Sequence, residues 1–158
     1  MIEGFFHVSF TVSNLEESVK WFTEVLGLQY LRGQIQENEY TGRMIGYTNV
    51  KLKVAQLLVP GMPLPAKGNH HIELIEYVRP PGRSDLDLST CNTGVGHWAF
   101  IVDDIHAEFN RLKALGVKFK ADAPVAIEYG VNKGGWGIYF TNPDGITFEL
   151  IQPPPKRE

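Results

Sequence analysis

The run Ile146-Thr147-Phe148-Glu149-Leu150-Ile151-Gln152, entered through the turn Asn142-Pro143-Asp144-Gly145, decides how this chain is read. Side chains alternate across a strand, so Phe148 and Leu150 share one face while Thr147, Glu149 and Ile151 share the other. A carboxylate is thereby set beside apolar residues, where it needs a partner. Much the same run, Ile72-Glu73-Leu74-Ile75-Glu76, occurs earlier. Each copy lies downstream of a histidine-bearing strand that leads into a helix. Two His and two Glu therefore occupy matching places in two half-chains.

Working outward, Phe5 to Val12 alternates, with Phe6, Val8, Phe10 and Val12 on one side and Phe5, His7, Ser9 and Thr11 on the other. Ser13 to Glu16 has the form of a capping box, and Leu15, Val19, Phe22 and Leu26 recur at helical spacing until Gly27. The second copy reads alike. His97 to Val102 is a strand, Asp103 or Asp104 a cap, and Ile105, Phe109, Leu112 and Leu115 mark a helix ending at Gly116. From histidine to glycine is 20 residues in one copy and 19 in the other, a match that predicts duplicated halves packed about a pseudo-twofold axis.

The remaining segments fill in each half. Gln29 to Val59 predicts two or three strands, broken at Gly33, Thr41-Gly42 and Asn49, and Pro60 to Asn69 a loop. His70 to Tyr77 predicts a strand with His71, Glu73, Ile75 and Tyr77 on one face. Val117 to Tyr129 and Gly137 to Thr141 precede the final strand. The expected organisation is a first module over 1–78, a linker over 79–95 containing Pro80-Pro81-Gly82, a second module over 96–152 and a flexible tail over 153–158. The two modules are expected to form one compact domain.

Composition excludes several classes. The 158 residues are 43% hydrophobic and 21% charged with a formal charge of -3, which gives no electrostatic reason to expect nucleic acid or an acidic membrane surface. Cys91 is the single cysteine, so neither an intrachain disulfide nor a cysteine zinc site is available. The chain starts in a strand pattern without a basic leader and apolar core, and no apolar run is long enough to span a bilayer. A reducing cytoplasm is the expected compartment.

His7, Glu73, His97 and Glu149 are the candidate site. By strand parity all four can face the side opposite the helices. Two imidazoles and two carboxylates suit one divalent first-row ion with one or two positions left for water or substrate. Any one of them alone reads more simply, as a hydrogen-bonded histidine or a solvated glutamate. Four at repeat-related positions are harder to treat as separate accidents. His71 shares the face of Glu73 and ranks behind it, as a supporting residue or substitute ligand. His70 and Glu76 point the other way, as structural or solvated groups, and His106 reads as a surface residue in a helix's first turn. Gly134-Gly135-Trp136-Gly137 reads as a loop rather than an anion cradle, and Cys91 as inert.

The segment His7-Val8-Ser9-Phe10-Thr11-Val12 leading into Leu15-Glu16-Glu17-Ser18-Val19-Lys20-Trp21-Phe22 and Leu26-Gly27-Leu28, with Gly96-His97, Asn142-Pro143-Asp144-Gly145 and Phe148-Glu149-Leu150, resembles the vicinal oxygen chelate superfamily. That group includes glyoxalase I, methylmalonyl-CoA epimerase, extradiol dioxygenases and the fosfomycin and bleomycin resistance proteins. The resemblance implies an α+β fold of two paired βαβββ modules forming a cupped mixed sheet around a metal, with helices outside. It implies His7, Glu73, His97 and Glu149 as ligands of one divalent ion (Zn, Ni, Co, Mn or Fe), a small-molecule substrate and a homodimer.

Departures narrow the chemistry. Glyoxalase I carries an arginine four residues beyond its first ligand and an asparagine four beyond its second, both holding glutathione; here those places are Thr11 and Tyr77. Extradiol dioxygenases use two His and one carboxylate, so Glu73 would fill the position they leave open. The epimerase keeps four ligands, with Gln where Glu73 stands. The resemblance thus implies an isomerase, epimerase or glyoxalase-like lyase working through a metal-stabilised enolate, with Glu73 or Glu149 as the catalytic base. A non-haem Fe(II) ring-cleavage dioxygenase and a non-catalytic small-molecule binding protein are the alternatives. Glu39, Tyr47 and Tyr129 are candidate wall residues.

Overall fold

The alternation that begins the chain forms strand β1 (His7–Thr11), and the change to helical spacing forms helix α1 (Leu15–Glu24). The computed structural model describes residues 1, 2, 4, 6–61 and 71–155. Phe5, His70 and the expected loop and tail at 62–69 and 156–158 lie outside the described residues. The cap of α1 differs from the capping-box reading: Asn14, not Ser13, stands at the N-cap and accepts from the Glu17 amide. An Asn carbonyl satisfies a first-turn N–H as well as a serine hydroxyl does, so Asn14 and Glu17 repeat the same pattern one residue later.

The chain divides into two units, Met1–Ser84 and Asp85–Glu158. In the first, β1 and α1 are followed by β2 (Gln29–Gln36), α2 (Glu39–Ile45), β3 (Lys51–Leu58) and β4 (His71–Arg79). Their sheet has the order β1-β4-β3-β2, with β1 parallel to β4 and the other pairs antiparallel. Helix α2 corrects the expectation of strands throughout Gln29 to Val59. Asn38 caps it by accepting from the Thr41 amide, and Gly46 ends it at φ 80. At Gly42 an added Cβ would lie 2.6 Å from the Tyr47 carbonyl, so only glycine permits this close return of the chain.

In the second unit β5 (Trp98–Ile101) and α3 (Ile105–Ala114) precede β6 (Lys118–Phe119), β7 (Val125–Ala126), β8 (Trp136–Thr141) and β9 (Thr147–Gln152). The order is β5-β9-β8-β6, with β7 also on β8. Again the first strand is parallel to the last and the last antiparallel to its predecessor. His97 lies just before β5 rather than within it. Asp104 caps α3, accepting from the Ala107 amide.

The helix-facing side of each sheet is the core. In the first unit Phe22 and Leu15 of α1 are buried, as are Leu57, Ile72 and Leu74 of the sheet. In the second, Ile105, Phe109 and Leu112 of α3 are buried, as are Phe140, Phe148 and Leu150. Phe140 and Phe148 are register partners across β8 and β9, stacked at 5.7 Å, and Phe119 and Phe100 extend the aromatic row. Removing one such ring costs about 3–5 kcal/mol in lost transfer energy and cavity formation.

The repeat extends to a polar device that seats each helix. The Glu76 carboxylate accepts from the Leu15 amide at 2.8 Å, and the Gln152 carbonyl accepts from the Ile105 amide at 2.9 Å. Both side chains sit three places beyond the candidate ligand on the last strand of their unit. Glu76 is therefore structural, and Lys53 bridges it to Glu16. The result is α+β architecture with two mixed sheets and few helices.

Candidate active site

The two last strands carry the candidate carboxylates between buried neighbours, Ile72 and Leu74 beside Glu73 and Phe148 and Leu150 beside Glu149, and by strand alternation on the opposite face. In the first unit the register pairs Ser9 of β1, Glu73 of β4, Gln56 of β3 and Arg32 of β2 in one row across all four strands. Their side chains are joined along that row. The Ser9 hydroxyl donates to Glu73 Oε1 at 3.0 Å, the Gln56 amide donates to Glu73 Oε2 at 3.1 Å, and Arg32 Nε donates to Gln56 Oε1 at 2.6 Å. Because Arg32 claims the Gln56 carbonyl, the amide NH₂ must face the carboxylate.

His7 stands one alternation before Ser9, and its Nε2 lies 3.6 Å from Glu73 Oε1. The Glu73 side chain is only 12% exposed, yet three neighbours address it. His71 is 1% exposed, with its ring 5.7 Å from the His7 ring and 5.8 Å from Phe6. Its ring packs beside those of His7 and Phe6.

In the second unit His97 Nε2 lies 3.2 Å from Glu149 Oε2, and Tyr139 Oη lies 3.3 Å from the same nitrogen. A neutral imidazole serves these partners one at a time. With a proton on Nε2 it donates to the carboxylate, and without one it accepts from the phenol. Tyr139 is the register partner of Glu149, and its ring centroid is 4.8 Å from that of His97. Burial first, and the Glu149 charge second, push the phenol's ionisation above its ordinary range. It remains a protonated donor at neutral pH.

A close approach shapes this corner as well. A Cβ on Gly137 would meet Glu149 Oε1 at 3.3 Å, so the glycine leaves the carboxylate its room.

The structure thus brings His7 to Glu73 and His97 to Glu149. Among the described residues no group of three or more His, Cys, Asp or Glu is drawn together as a metal-holding cluster. Ser9, Gln56, Arg32 and Tyr139 escaped the sequence reading. Parity alone points to Ser9, two residues after His7, but the other three are found through cross-strand register.

Among the described residues none of the other candidates is hydrogen-bonded to either His–Glu pair. The Glu39 and Tyr129 side chains are exposed, and Glu39 faces Arg43 at 3.9 Å. Tyr47 meets the Tyr77 ring at 6.3 Å. His106 is exposed with its ring against Trp136, and Cys91 is exposed. The Gly134 and Gly135 amides donate to the Ile127 and Asn132 carbonyls, so they are engaged within the loop itself. No helix among the described residues is long and apolar enough to cross a membrane.

Residues 4–150 match the family described as the Glyoxalase/Bleomycin resistance protein/Dioxygenase superfamily. The chain is 33% identical over 149 residues to a probable lactoylglutathione lyase of Vibrio parahaemolyticus, covering 92% of this chain and 88% of the relative. It is 31% identical over 152 residues to a 2-epi-5-epi-valiolone epimerase of an Actinomyces species, covering 94% and 78%. It also spans 46% of the length of a lactoylglutathione lyase of Arabidopsis thaliana, at 30% identity over 157 residues and 98% of this chain. Among solved structures, a glyoxalase family protein from Bacillus cereus superposes with a TM-score of 0.75 at 24% identity, covering 98% of this chain and 96% of that one. That likeness shows the shared fold. The chain belongs to the glyoxalase/bleomycin resistance/dioxygenase superfamily, the vicinal oxygen chelate group.

Proposed function

We propose that this chain is a metal-dependent isomerase or lyase that moves a proton on the carbon beside a carbonyl of a small oxygenated molecule. The observation that carries the reading is the repeated His–Glu pair, His7 with Glu73 and His97 with Glu149. In both units the glutamate lies on the last strand, opposite a side chain that bonds to the pair. Relatives named lyase and epimerase support the same class of reaction.

The donor set fits a divalent cation. Two ligands of a tetrahedral first-row ion, each about 2.1 Å from it, stand about 3.4 Å apart. The observed separations of 3.6 Å and 3.2 Å bracket that value. The pair His7 and Glu73 and the pair His97 and Glu149 would each supply two ligands to a divalent ion, whose Lewis acidity would stabilise negative charge growing on a carbonyl oxygen.

The two carboxylates differ in their freedom. Ser9 and Gln56 bind both oxygens of Glu73, which suits a fixed ligand. Among the described residues Glu149 is bonded to His97 alone. Glu149 is accordingly the better proton carrier, able to take a proton from carbon and return it. The Tyr139 phenol supplies a neutral donor beside it.

Exchange with solvent tests this reading. A simple α-hydroxyketone such as dihydroxyacetone, incubated with protein in deuterium oxide, should exchange its α-hydrogens. Glu149→Gln should slow that exchange about a hundredfold or more, the usual size of a general-base contribution, and by more than it lowers metal content. Equal exchange by metal-free protein would overturn the proposal, and oxygen uptake with catechols would favour ring cleavage instead.

A further inference from the structure

Beside Gln56, on the side away from Glu73, lies a small open hollow of ≈ 20 Å³ lined by Arg32, Gly33, Gln34, Val54 and Gln56. Several cations of the same unit are ion-paired, and Arg32 is not among them: Arg43 and Arg79 each face a glutamate, as do Lys51 and Lys53. Among the described residues Arg32 has no carboxylate partner; its one hydrogen bond is from Nε to the Gln56 carbonyl. That bond is short, 2.6 Å, and Gln56 is only 8% exposed, so the guanidinium is anchored by its inner edge to a buried group. The outer Nη edge is left as a forked donor.

An exposed arginine with no task would be expected to sway in solvent or take a surface glutamate. This one is held in the row that contains Glu73, in register and by hydrogen bonds. Two strand spacings separate the backbones of Arg32 and Glu73, about 10 Å. Gln56 stands between them as a neutral spacer, so an anion at Arg32 would not be pressed against the Glu73 charge.

We propose that this hollow is an oxyanion subsite of the active site, in which Arg32 takes a carboxylate or phosphate group carried a few atoms from the substrate's reacting carbonyl. The fork of a guanidinium matches the two oxygens of either group. The substrate class is then a small anionic hydroxy- or oxo-compound, a deepening that rests on the functional reading above.

Calorimetric titration of the metal-loaded full chain with 2-hydroxyglutarate and with 2-hydroxyvalerate, which lacks the distal carboxylate, tests the subsite. Glycerol 3-phosphate against glycerol does the same for phosphate. In wild type one anionic probe or both should bind about tenfold to a hundredfold more tightly than the neutral-ended mate, the usual scale for a charge-assisted pair. With each variant kept at saturating metal, Arg32→Met should erase the preference, and Arg32→Lys should retain part of it, because the charge remains and the fork is lost. An unchanged preference in Arg32→Met, or none in wild type for either pair, would overturn the proposal. Repeating the titrations on metal-free protein separates the two claims. If the anion preference persists but metal removal leaves every probe's affinity untouched, the metal-dependent reading fails and the subsite stands.

Discussion

Gln56 and Glu73 face each other across adjacent strands, and the Gln56 amide donates to the Glu73 carboxylate at 3.1 Å from a site almost wholly buried. The bond has a direction imposed by Arg32, and it leaves Glu73 with a fixed orientation. Groups that orient a metal ligand commonly govern affinity by about tenfold to a hundredfold. Gln56→Leu, which keeps the volume and removes the donor, should weaken metal binding by that factor in chelator competition. An unaltered affinity would show that Ser9 alone sets the carboxylate.

Tyr139 should ionise late. Burial and the Glu149 charge both disfavour its phenolate, so its ionisation lies above the ordinary tyrosine range. In an absorbance titration of metal-free protein, one phenol should trail the others, and Tyr139→Phe should remove that late component. The sign for stability follows. The native state holds this proton more tightly than the unfolded chain, so the Tyr139 contribution is complete below about pH 10 and declines as pH rises beyond it. Denaturation midpoints measured on either side of that pH should converge in Tyr139→Phe relative to wild type.

Each helix is seated by a side chain of its unit's last strand, and the two contacts should be comparable in size. Gln152→Ala should cost about 1 kcal/mol by urea denaturation, the net worth of a neutral hydrogen bond to an otherwise unpaired amide. Glu76→Ala should cost somewhat more, about 1–2 kcal/mol, because the group is charged and also meets Lys53. No loss in either variant would remove the device from the account of the fold.

Glutathione hemithioacetals should be poor substrates. The two places that hold glutathione in glyoxalase I carry Thr11, a short neutral side chain, and Tyr77, which packs beside Tyr47. Missing a charged or amide contact costs about tenfold to a hundredfold in kcat/KM for each. The hemithioacetal of methylglyoxal should fall well short of the diffusional ceiling. Turnover near that ceiling would show that other groups hold the tripeptide.

Much of this arrangement is legible in the chain itself. The alternation around Phe148 and Leu150 places Glu149 correctly, and the same parity pairs His7 with Glu73, because alternation is a property of neighbouring residues. The repeat carries the reading from one half to the other and anticipates matching strand orders. What fails depends on contacts distant in sequence. Helix α2 was missed because Tyr40, Thr41 and Ile45 favour strands, whereas Asn38 and the left-handed Gly46 close the helix at both ends. Gln56 and Tyr139 were missed because nothing beside them in sequence reveals that they stand opposite a glutamate. Only strand register brings them there.

The most direct test of the central claim is metal content after purification without chelator, measured on wild type and on His7→Ala, Glu73→Ala, His97→Ala and Glu149→Ala, each first shown to be folded by its thermal transition. Wild type should retain a single equivalent of a divalent first-row metal per chain, and every one of the four variants should lose most of it. Full metal content in both His97→Ala and Glu149→Ala would contradict the account, because the pair that repeats the first unit's design would then have no part in holding the ion.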